Sequence, residues 1–291
     1  MGEQTGPKFT IVQLLAVIGI VVMLVAFFFP FRRHHGERAY KIKCSSNLRQ
    51  IALGMKMYAN NERGGFFPRT RYDKATADRP TAYTNPSATQ PFHNNGPVPN
   101  DVTAAVWLIL RTQEITTDVF ICPESTTATR VELSKATDVS LFSNFTSQAN
   151  LSYSFQNPYP TEAALQGGFK WSDEMGSDIA IAGDINPGVA ALTTVTINDD
   201  GKAQRSVNSP NHGYDGQNIL YADAHVEWSA SPWAGAQQDN VYTYAKADPV
   251  KGPLSTTKPT GLLESAGIVG SSTGEFDSVL LPAWDANVPR P

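Results

Sequence analysis

Cysteine, charge and enzyme motifs are all scarce in this sequence. Cys occurs twice and His five times in 291 residues, and charged residues make up 17% of the chain. The GxSxG and HExxH patterns, the P-loop and the glycine-rich dinucleotide fingerprint are absent. These patterns supply the nucleophiles, metal ligands and phosphate cradles of common enzyme classes. We therefore predict that the protein is not an enzyme and needs no cofactor.

The chain also lacks an excess of basic residues. Lys and Arg number 23 against 27 Asp and Glu, which gives a net charge of -4. Binding to nucleic acid depends on a concentrated positive surface, so nucleic acid is not an expected partner. The small share of charged residues, with abundant Ser, Thr, Asn, Gly and Pro, is typical of a loop-rich β domain outside the cytoplasm.

What the sequence does contain is a long apolar run near its N-terminus. Residues 11–29 carry no charge, and Gln13 is their one strongly polar side chain. At about 1.5 Å per residue, a helix of this length covers roughly 28 Å, close to the hydrocarbon thickness of a bilayer. The run is longer than the core of a secretory signal peptide and ends in three Phe residues and Pro30 instead of small residues. It predicts a single membrane-spanning helix.

A second helical pattern follows the apolar run. Apolar residues recur at helical spacing on one face, at Leu48, Ile51, Ala52, Met55 and Tyr58. We therefore predict one long N-terminal helix, from about Thr10 to Asn60, whose first half spans the membrane and whose second half packs on a protein core. The predicted division of the chain is a leader at 1–8, the transmembrane part of the helix at 9–31, its amphipathic half at 32–62 and a β-rich domain at 63–291.

Short strand patterns dominate the domain that follows. The candidates are VFICP from Val119, LSYSF from Leu151, DIAIAGD from Asp178, and a hairpin of NILYA and HVEW between Asn218 and Trp228. Asp101 is the predicted N-cap of a short helix. The predicted fold class is α+β, with the long helix packed on an antiparallel β-sheet joined by long loops. The hairpin residues expected to face the helix are Ile219, Tyr221, Val226 and Trp228.

Several segments in order resemble one bacterial family. They are FTIVQLLAVIGIVVMLVAFFFP from Phe9, KCSSNLRQIALGMKMYANN from Lys43, FP at Phe67, FICP, NHGYDGQNILYADAHVEW from Asn211 and DNVYT from Asp239. Together they resemble the prepilin-like proteins of the type IV pilin and type II secretion pseudopilin superfamily. The closer likeness is to a large prepilin-type group of unknown function with a C-terminal His and Asp-Gly-His-Val signature. The resemblance implies a pilin-like fold and a structural role, as a subunit or accessory protein of a type II secretion or type IV pilus-like assembly.

The resemblance also assigns roles to particular residues. Family members are cut after a Gly and methylated on the residue that follows, and the matching positions here are Lys8 and Phe9. The family's acidic residue, which is thought to neutralise the amino terminus of a neighbouring subunit, falls at the neutral Gln13. The signature's Gly is replaced by Ala224, in a turn that favours positive φ. Lys8 and Gln13 favour the alternative function, a membrane-tethered binding module for a glycan, peptide or ion that does not polymerise. Phe9, Thr10 and Pro30 match the family and favour the structural role.

Two signals disagree about the orientation of the predicted span. The positive-inside rule would place the domain in the cytoplasm, because basic residues follow the span at Arg32, Arg33, Arg38, Lys41 and Lys43. The resemblance implies a cytoplasmic N-terminus and a periplasmic or extracellular domain, which also suits the composition. We adopt the second orientation for a single-pass membrane protein. The expected partners are the membrane, like subunits and secretion or pilus assembly proteins.

The two cysteines form the first candidate site. Cys44 and Cys122 either form one disulfide in an oxidising compartment or remain as two buried free thiols. The sequence does not decide between these alternatives. Neither Cys lies in a CxxC pair, which argues against zinc.

The second candidate site is a group of His and Asp residues near the C-terminal signature. His212, Asp215, Asp223 and His225 lie within 14 residues, and with Asp184 they offer nitrogen and oxygen ligands to a divalent cation such as calcium. The alternative is that the Asp residues form turns while the His residues pack or hydrogen-bond at the ends of the hairpin. The spacing matches no established ligand pattern, so we assign no metal site from the sequence.

Overall fold

The computed structural model describes most of the chain. The described residues are 10–28, 31–113, 115–125, 128, 138–188, 195, 197–243, 263–264, 267–268, 272 and 274–282. The chain forms two compact units, Met1–Tyr40 and Lys41–Pro291. The second unit contains the β-sheet and the hydrophobic cores.

Two separate helices form the N-terminal part of the chain, so the predicted single long helix from Thr10 to Asn60 is wrong. Helix α1 is Ile11–Phe28 and helix α2 is Phe31–Asn61. Pro30 follows α1 in the sequence and has no backbone N–H to donate to a helical ladder, so the apolar pattern before it and the amphipathic pattern after it need not belong to one helix. The fold class is corrected accordingly. Within the residues that the structure describes, it is an antiparallel sheet with separate helices, and none of these helices is the long apolar helix of a pilin-like architecture.

None of the helices in the described part of the chain is both long enough and apolar enough to cross a membrane. The predicted transmembrane segment at 9–31, and with it the single-pass localisation with a periplasmic or extracellular domain, is therefore wrong.

The strands of the main sheet are β1 Tyr153–Gln156, β2 Ala180–Asp184, β3 Gln217–Tyr221, β4 Val226–Ser229 and β7 Leu280–Leu281, and a separate hairpin contains β5 Leu263–Glu264 and β6 Gly267–Ile268. The main sheet is antiparallel, in the order β4-β3-β2-β1-β7. Strands β1, β2 and β3 are buried along their whole length, whereas β4 is a half-exposed edge. The strand patterns that begin at Leu151, Asp178 and Asn218 are confirmed as β1, β2 and the β3–β4 hairpin.

The two faces of the sheet are covered by different hydrophobic cores. Successive side chains of a strand point to opposite faces, and Leu220 of β3 shares the first core with Leu48 of α2. Ile219 and Tyr221 lie in the second core, on the other face. The prediction that these two residues face α2 is therefore wrong, although Val226 does pack against the first core. The error arose because a strand buried on both faces carries apolar residues at every position, so its sequence does not reveal which set faces the helix.

The predicted strand at Val119 is also wrong. Residues 117–120 form a 3-10 turn. Phe120 is fully buried, with its ring centroid 5.4 Å from that of Phe145 and 6.4 Å from that of Phe155. The apolar run therefore fills the first core with an aromatic side chain instead of extending the sheet.

Three shorter helices complete the described elements. They are α3 Val102–Thr112, α4 Glu162–Gln166 and α5 Gly201–Arg205. The carboxylate of Asp101 accepts a hydrogen bond from the backbone N–H of Ala104 at 2.8 Å, which confirms the predicted N-cap. Trp107 of α3 packs edge-on against Phe145, and α3 and α2 both contribute side chains to the first core.

Candidate functional site

A disulfide joins Cys44 of α2 to Cys122 inside the first core. The two Cα atoms are 5.3 Å apart and both residues are fully buried. One turn further along α2, the Asn47 amide donates hydrogen bonds to the carbonyl oxygen of Ile121 at 3.0 Å and to the Tyr153 hydroxyl at 3.2 Å. Helix α2 is therefore fixed to the segment around Cys122 both covalently and by hydrogen bonds. Of the two alternatives left open by the sequence, the structure contains the disulfide.

His212 lies beside this disulfide with both ring nitrogens engaged. Its Nδ1 is hydrogen-bonded to the carboxylate of Glu124. Its Nε2 lies 3.2 Å from Asp184 Oδ2 and 3.8 Å from Cys122 Sγ. The imidazole ring is thus held between two carboxylates, with its Nε2 edge directed at a disulfide sulfur.

Asp184 is placed by the sheet and held by amide groups. It is the last residue of β2, and its side chain is fully buried. Its Oδ2 accepts hydrogen bonds from the backbone N–H of Asn218 at 2.6 Å and from the Asn218 amide at 3.1 Å, while Oδ1 accepts from the Asn211 amide at 3.1 Å. Because β2 pairs with β3, the strand pairing itself brings Asn218 to this carboxylate.

Aromatic and basic side chains form one wall of the site. The ring centroid of Trp228, on edge strand β4, is 5.2 Å from that of His212, at an interplanar angle of 74°. The Lys41 ammonium lies 4.1 Å from the centroid of the Trp228 ring, within cation–π distance. Glu124 is the most open carboxylate of the group, since 22% of its side chain is exposed. Glu124 therefore contacts both the buried His212 and solvent.

The surroundings of His212 act on its pKa in opposite directions. Burial lowers the pKa, because it disfavours the charged imidazolium. The hydrogen bonds and negative charges of Asp184 and Glu124 outweigh burial, so the pKa of His212 is raised above its usual value. The site therefore favours an imidazolium that is paired with both carboxylates.

Four groups with metal-ligand chemistry converge here. One side-chain atom each from Cys44, Cys122, Asp184 and His212 lies within 4.8 Å of the other three, and all four residues are buried. While the disulfide is intact its sulfurs are not thiolates, and the thiolate is the form that binds metals and acts as a nucleophile. The arrangement can exchange a proton between His212 and a released Cys122 sulfur, or can hold a cation once the disulfide is reduced.

The structure separates the four residues that the sequence grouped as metal candidates. His212 lies in the buried site, whereas Asp215 is exposed. Asp223 and His225 are exposed and hydrogen-bonded to each other on the β3–β4 turn. The pKa of Asp223 is lowered, chiefly by a hydrogen bond from the backbone N–H of His225. Turn formation therefore accounts for Asp223 and His225, and only His212 joins Asp184.

Sequence reasoning missed three members of the site. Glu124, Asn211 and Asn218 contact His212 or Asp184 but were not among the predicted site residues. Glu124 follows Cys122 by two positions in FICPE, so an acidic residue close to a buried Cys was the available signal. Asn218 lies on the buried strand β3 and Asn211 lies in the turn before it, both inside the segment that carries the resemblance. Polar residues among the apolar ones of that segment were the signal.

Helix α1 is a second candidate site, because it is an exposed apolar element. Its sequence, IVQLLAVIGIVVMLVAFF, contains no charged residue. Twelve of its large aliphatic side chains, between residues 11 and 25, are each at least 50% exposed. Val21, Val22, Met23 and Leu24 are among them, and at about 100° per residue these four consecutive side chains point around most of the helix circumference. Helix α1 therefore presents apolar surface on all sides.

Gln13 caps the N-terminus of this helix. Its side-chain oxygen accepts a hydrogen bond from the backbone N–H of Thr10 at 3.0 Å, and the Thr10 hydroxyl accepts one from the backbone N–H of Gln13 at 3.4 Å. This reciprocal pair is a capping box, in which a neutral Gln is as suitable as Glu. The role that the resemblance gives to Lys8 and Phe9 falls outside the described residues.

Comparison of the chain with family models, with curated proteins and with solved structures gives no match. The functional argument therefore depends on the geometry of these two sites and on the resemblance read from the sequence.

Proposed function

We propose that this protein is a structural subunit of a type II secretion or type IV pilus-like assembly, in which α1 packs among the α1 helices of neighbouring copies. The role is the one implied by the resemblance to prepilin-like proteins. The observation that carries it is the exposure of apolar side chains on all sides of α1. The mechanism is packing between chains, without catalysis.

Burial of α1 supplies enough free energy for association. Completing the burial of a half-exposed aliphatic side chain stabilises by roughly 1 kcal/mol, so the twelve exposed side chains of α1 together contribute on the order of 10 kcal/mol. This gain is similar to the cost of about 4 to 15 kcal/mol for the lost freedom of two associating molecules. Association through α1 is therefore favourable once more than one neighbour contributes surface.

The distribution of apolar residues favours several neighbours of the same kind. A helix that binds one groove carries a single apolar stripe and a polar outer face. In α1 the apolar side chains surround the axis, and the one strongly polar residue of residues 11–25, Gln13, is engaged in capping the helix. A bundle of identical helices buries apolar surface on every side of each helix. It also brings no charge into the contact, because α1 contains no charged residue. The occupant that we propose is therefore a second and further copy of this chain.

Chemical cross-linking between copies tests the proposal. In full-length protein, Val17→Cys places a thiol on the exposed surface of α1, and Ser87→Cys places a thiol on an exposed loop of the larger unit. The native Cys44–Cys122 disulfide is buried and does not compete for a surface reagent. With a short bis-maleimide, we expect dimers of V17C to form at least ten times more than dimers of S87C.

A charge on α1 provides the matched test of specificity. Adding Ile20→Asp to V17C puts a carboxylate into the proposed helix contact, and burying it unpaired costs several kcal/mol. We expect this double variant to lose the cross-linked dimers. Equal cross-linking of V17C and S87C would contradict the proposal and favour the binding module that does not polymerise.

A further inference from the structure

We infer that reduction of the Cys44–Cys122 disulfide converts the buried site into a zinc site whose ligands are Cys44, Cys122, Asp184 and His212. These residues were not predicted to act together, because the two Cys residues are 78 positions apart and neither lies in a CxxC pair. The fold brings them together from α2, from the segment after Phe120, from the end of β2 and from the turn before β3. This inference does not depend on the assembly proposed for α1.

The number, kind and spacing of the ligands suit zinc. Structural zinc sites use four ligands in tetrahedral geometry, with Zn–S bonds of about 2.3 Å and Zn–N or Zn–O bonds of about 2.0 to 2.2 Å, which places the ligand atoms about 3.4 to 3.8 Å apart. His212 Nε2 is 3.8 Å from Cys122 Sγ and 3.2 Å from Asp184 Oδ2. Once the bond between them is broken, the two sulfurs move apart toward the same spacing.

The surrounding groups are those that orient a zinc-bound histidine. A ligating His almost always donates its other ring N–H to a carboxylate or carbonyl, which fixes the tautomer and the direction of the ring. Here Nδ1 of His212 is hydrogen-bonded to Glu124, while Nε2 faces the sulfur and the Asp184 carboxylate. Asp184 is held in turn by Asn211 and Asn218. The hydrogen bonds that orient His212 and Asp184 are therefore already present.

Thiolate ligands select the metal. Soft sulfur ligands favour zinc, whereas calcium takes six to eight oxygen ligands. Asp184 is the one carboxylate in the ligand set. The site is therefore expected to bind Zn²⁺ and to leave Ca²⁺ unbound.

The conversion requires an external dithiol. Its thiolate attacks one sulfur of the Cys44–Cys122 bond, and the mixed disulfide is resolved by its second thiol. The dithiol loses two electrons and becomes a cyclic disulfide, while Cys44 and Cys122 gain them and become thiols. Zn²⁺ then displaces the two thiol protons and the Nε2 proton of His212, all three of which pass to solvent, and Nε2 of His212 and the Asp184 carboxylate exchange their mutual contact for bonds to the ion. The chain thus has two closed states, one cross-linked and one metal-bound.

Metal binding by the full-length chain in both redox states tests the inference. We expect reduced protein to retain one Zn²⁺ per chain after gel filtration, oxidised protein to retain none, and neither to retain Ca²⁺. With Co²⁺ as a spectroscopic substitute, the reduced protein should show sulfur-to-cobalt charge-transfer absorption. Equal zinc content in the two states, or no zinc in the reduced state, would overturn the inference.

Matched variants locate the metal. Glu124→Gln keeps a hydrogen-bonding side chain on a partly exposed residue, and loss of an outer contact of this kind lowers metal affinity about 10- to 100-fold. His212→Ala should abolish binding, whereas His225→Ala, which alters an exposed His on the neighbouring hairpin, should leave it unchanged. A loss as large in H225A as in H212A would contradict the assignment.

Thermal unfolding tests the inference even if reduction of the disulfide destabilises the folded protein. We expect reduced wild-type protein to unfold at a lower temperature than oxidised protein, and added Zn²⁺ to restore most of the difference, because an ion that binds only the folded chain stabilises it. Failure of Zn²⁺ to raise the midpoint of the reduced protein would also overturn the inference.

Discussion

At the scale of single residues, Asp239 shows how burial sets a protonation state away from the candidate site. The residue is almost fully buried, and its Oδ2 accepts a hydrogen bond from the backbone N–H of Ser278 at 2.8 Å. Burial and the nearby carboxyl of Asp277 raise the pKa of Asp239 well above its usual value. Two adjacent buried carboxyl groups do not both ionise readily, so the folded protein retains a proton at this pair.

The raised pKa of Asp239 predicts a stability change with pH. A carboxyl whose pKa is higher in the folded state stabilises the fold below its unfolded pKa of about 3.9, and this contribution is lost as pH rises through the folded pKa. Asp239→Asn is always neutral and can accept the same hydrogen bond. We therefore expect the stability of D239N relative to wild type, measured by urea unfolding, to increase steadily above pH 4.

Asp200 provides the control for this prediction. Its exposed side chain caps α5 by accepting hydrogen bonds from the backbone N–H groups of Lys202 and Ala203. Asn is also a good N-cap, so Asp200→Asn should change the stability little, and it tests whether an Asp-to-Asn change alone produces the effect. A D239N profile parallel to the wild-type profile would contradict the protonated pair.

At the scale of elements, the turn between β3 and β4 shows the cost of a left-handed backbone at a residue with a side chain. Ala224 has a φ of +78°, in the left-handed region, where glycine is the residue best suited. An L-residue there is disfavoured by roughly 1 to 2 kcal/mol, which glycine avoids at some cost in chain entropy. The hairpin therefore forms despite its turn residue, through the pairing of β3 with β4.

Ala224→Gly is expected to stabilise the protein by roughly 1 kcal/mol. In a chain of this size that change raises the unfolding midpoint by about 2 to 4 °C, which calorimetry can measure. Ala203→Gly, in the ordinary helical backbone of α5, is the control and should lower the midpoint. A lower midpoint in A224G would show that the left-handed conformation is not a source of strain.

The first turn of α1 provides a second test at this scale. Gln13→Ala removes the acceptor for the Thr10 N–H, and loss of a cap of this kind costs about 1 kcal/mol. We expect amide hydrogen exchange at Thr10 to accelerate about five-fold, whereas Gln13→Glu should retain the wild-type rate because Glu forms the same capping box. Unchanged exchange in Q13A would contradict the capping role.

Helix and strand patterns predicted some elements well and failed at others for identifiable reasons. Apolar patterns between turn residues located β1, β2 and the β3–β4 hairpin, and Asp101 marked the start of α3. The single long helix was wrong because the helical pattern on either side of Pro30 was read as continuous. The strand at Val119 was wrong because tertiary packing of Phe120 outweighed local β propensity.

At the scale of the whole molecule, the buried site could be only partly predicted. His212 and Asp184 were recognisable as ligand types close to a signature, but their proximity to Cys44 and Cys122 depends on contacts between residues far apart in the sequence. The spacing of residue types along the sequence indicates which residues are neighbours within one helix or hairpin. It contains no direct information on contacts between residues far apart in the sequence. The exposed surface of α1, in contrast, follows directly from its composition.

Assembly through α1 is the central claim at this scale, and the mass of the particle in solution tests it most directly. Light scattering on full-length protein should give particles of several chains, each of 31.6 kDa. The double variant Val17→Asp/Val21→Asp, which places two carboxylates on α1, should have the mass of one chain. Its circular dichroism spectrum should match that of the wild type, which checks that the larger unit is still folded. A wild-type protein that scatters as a single chain, or a double variant that assembles as wild type does, would contradict the account.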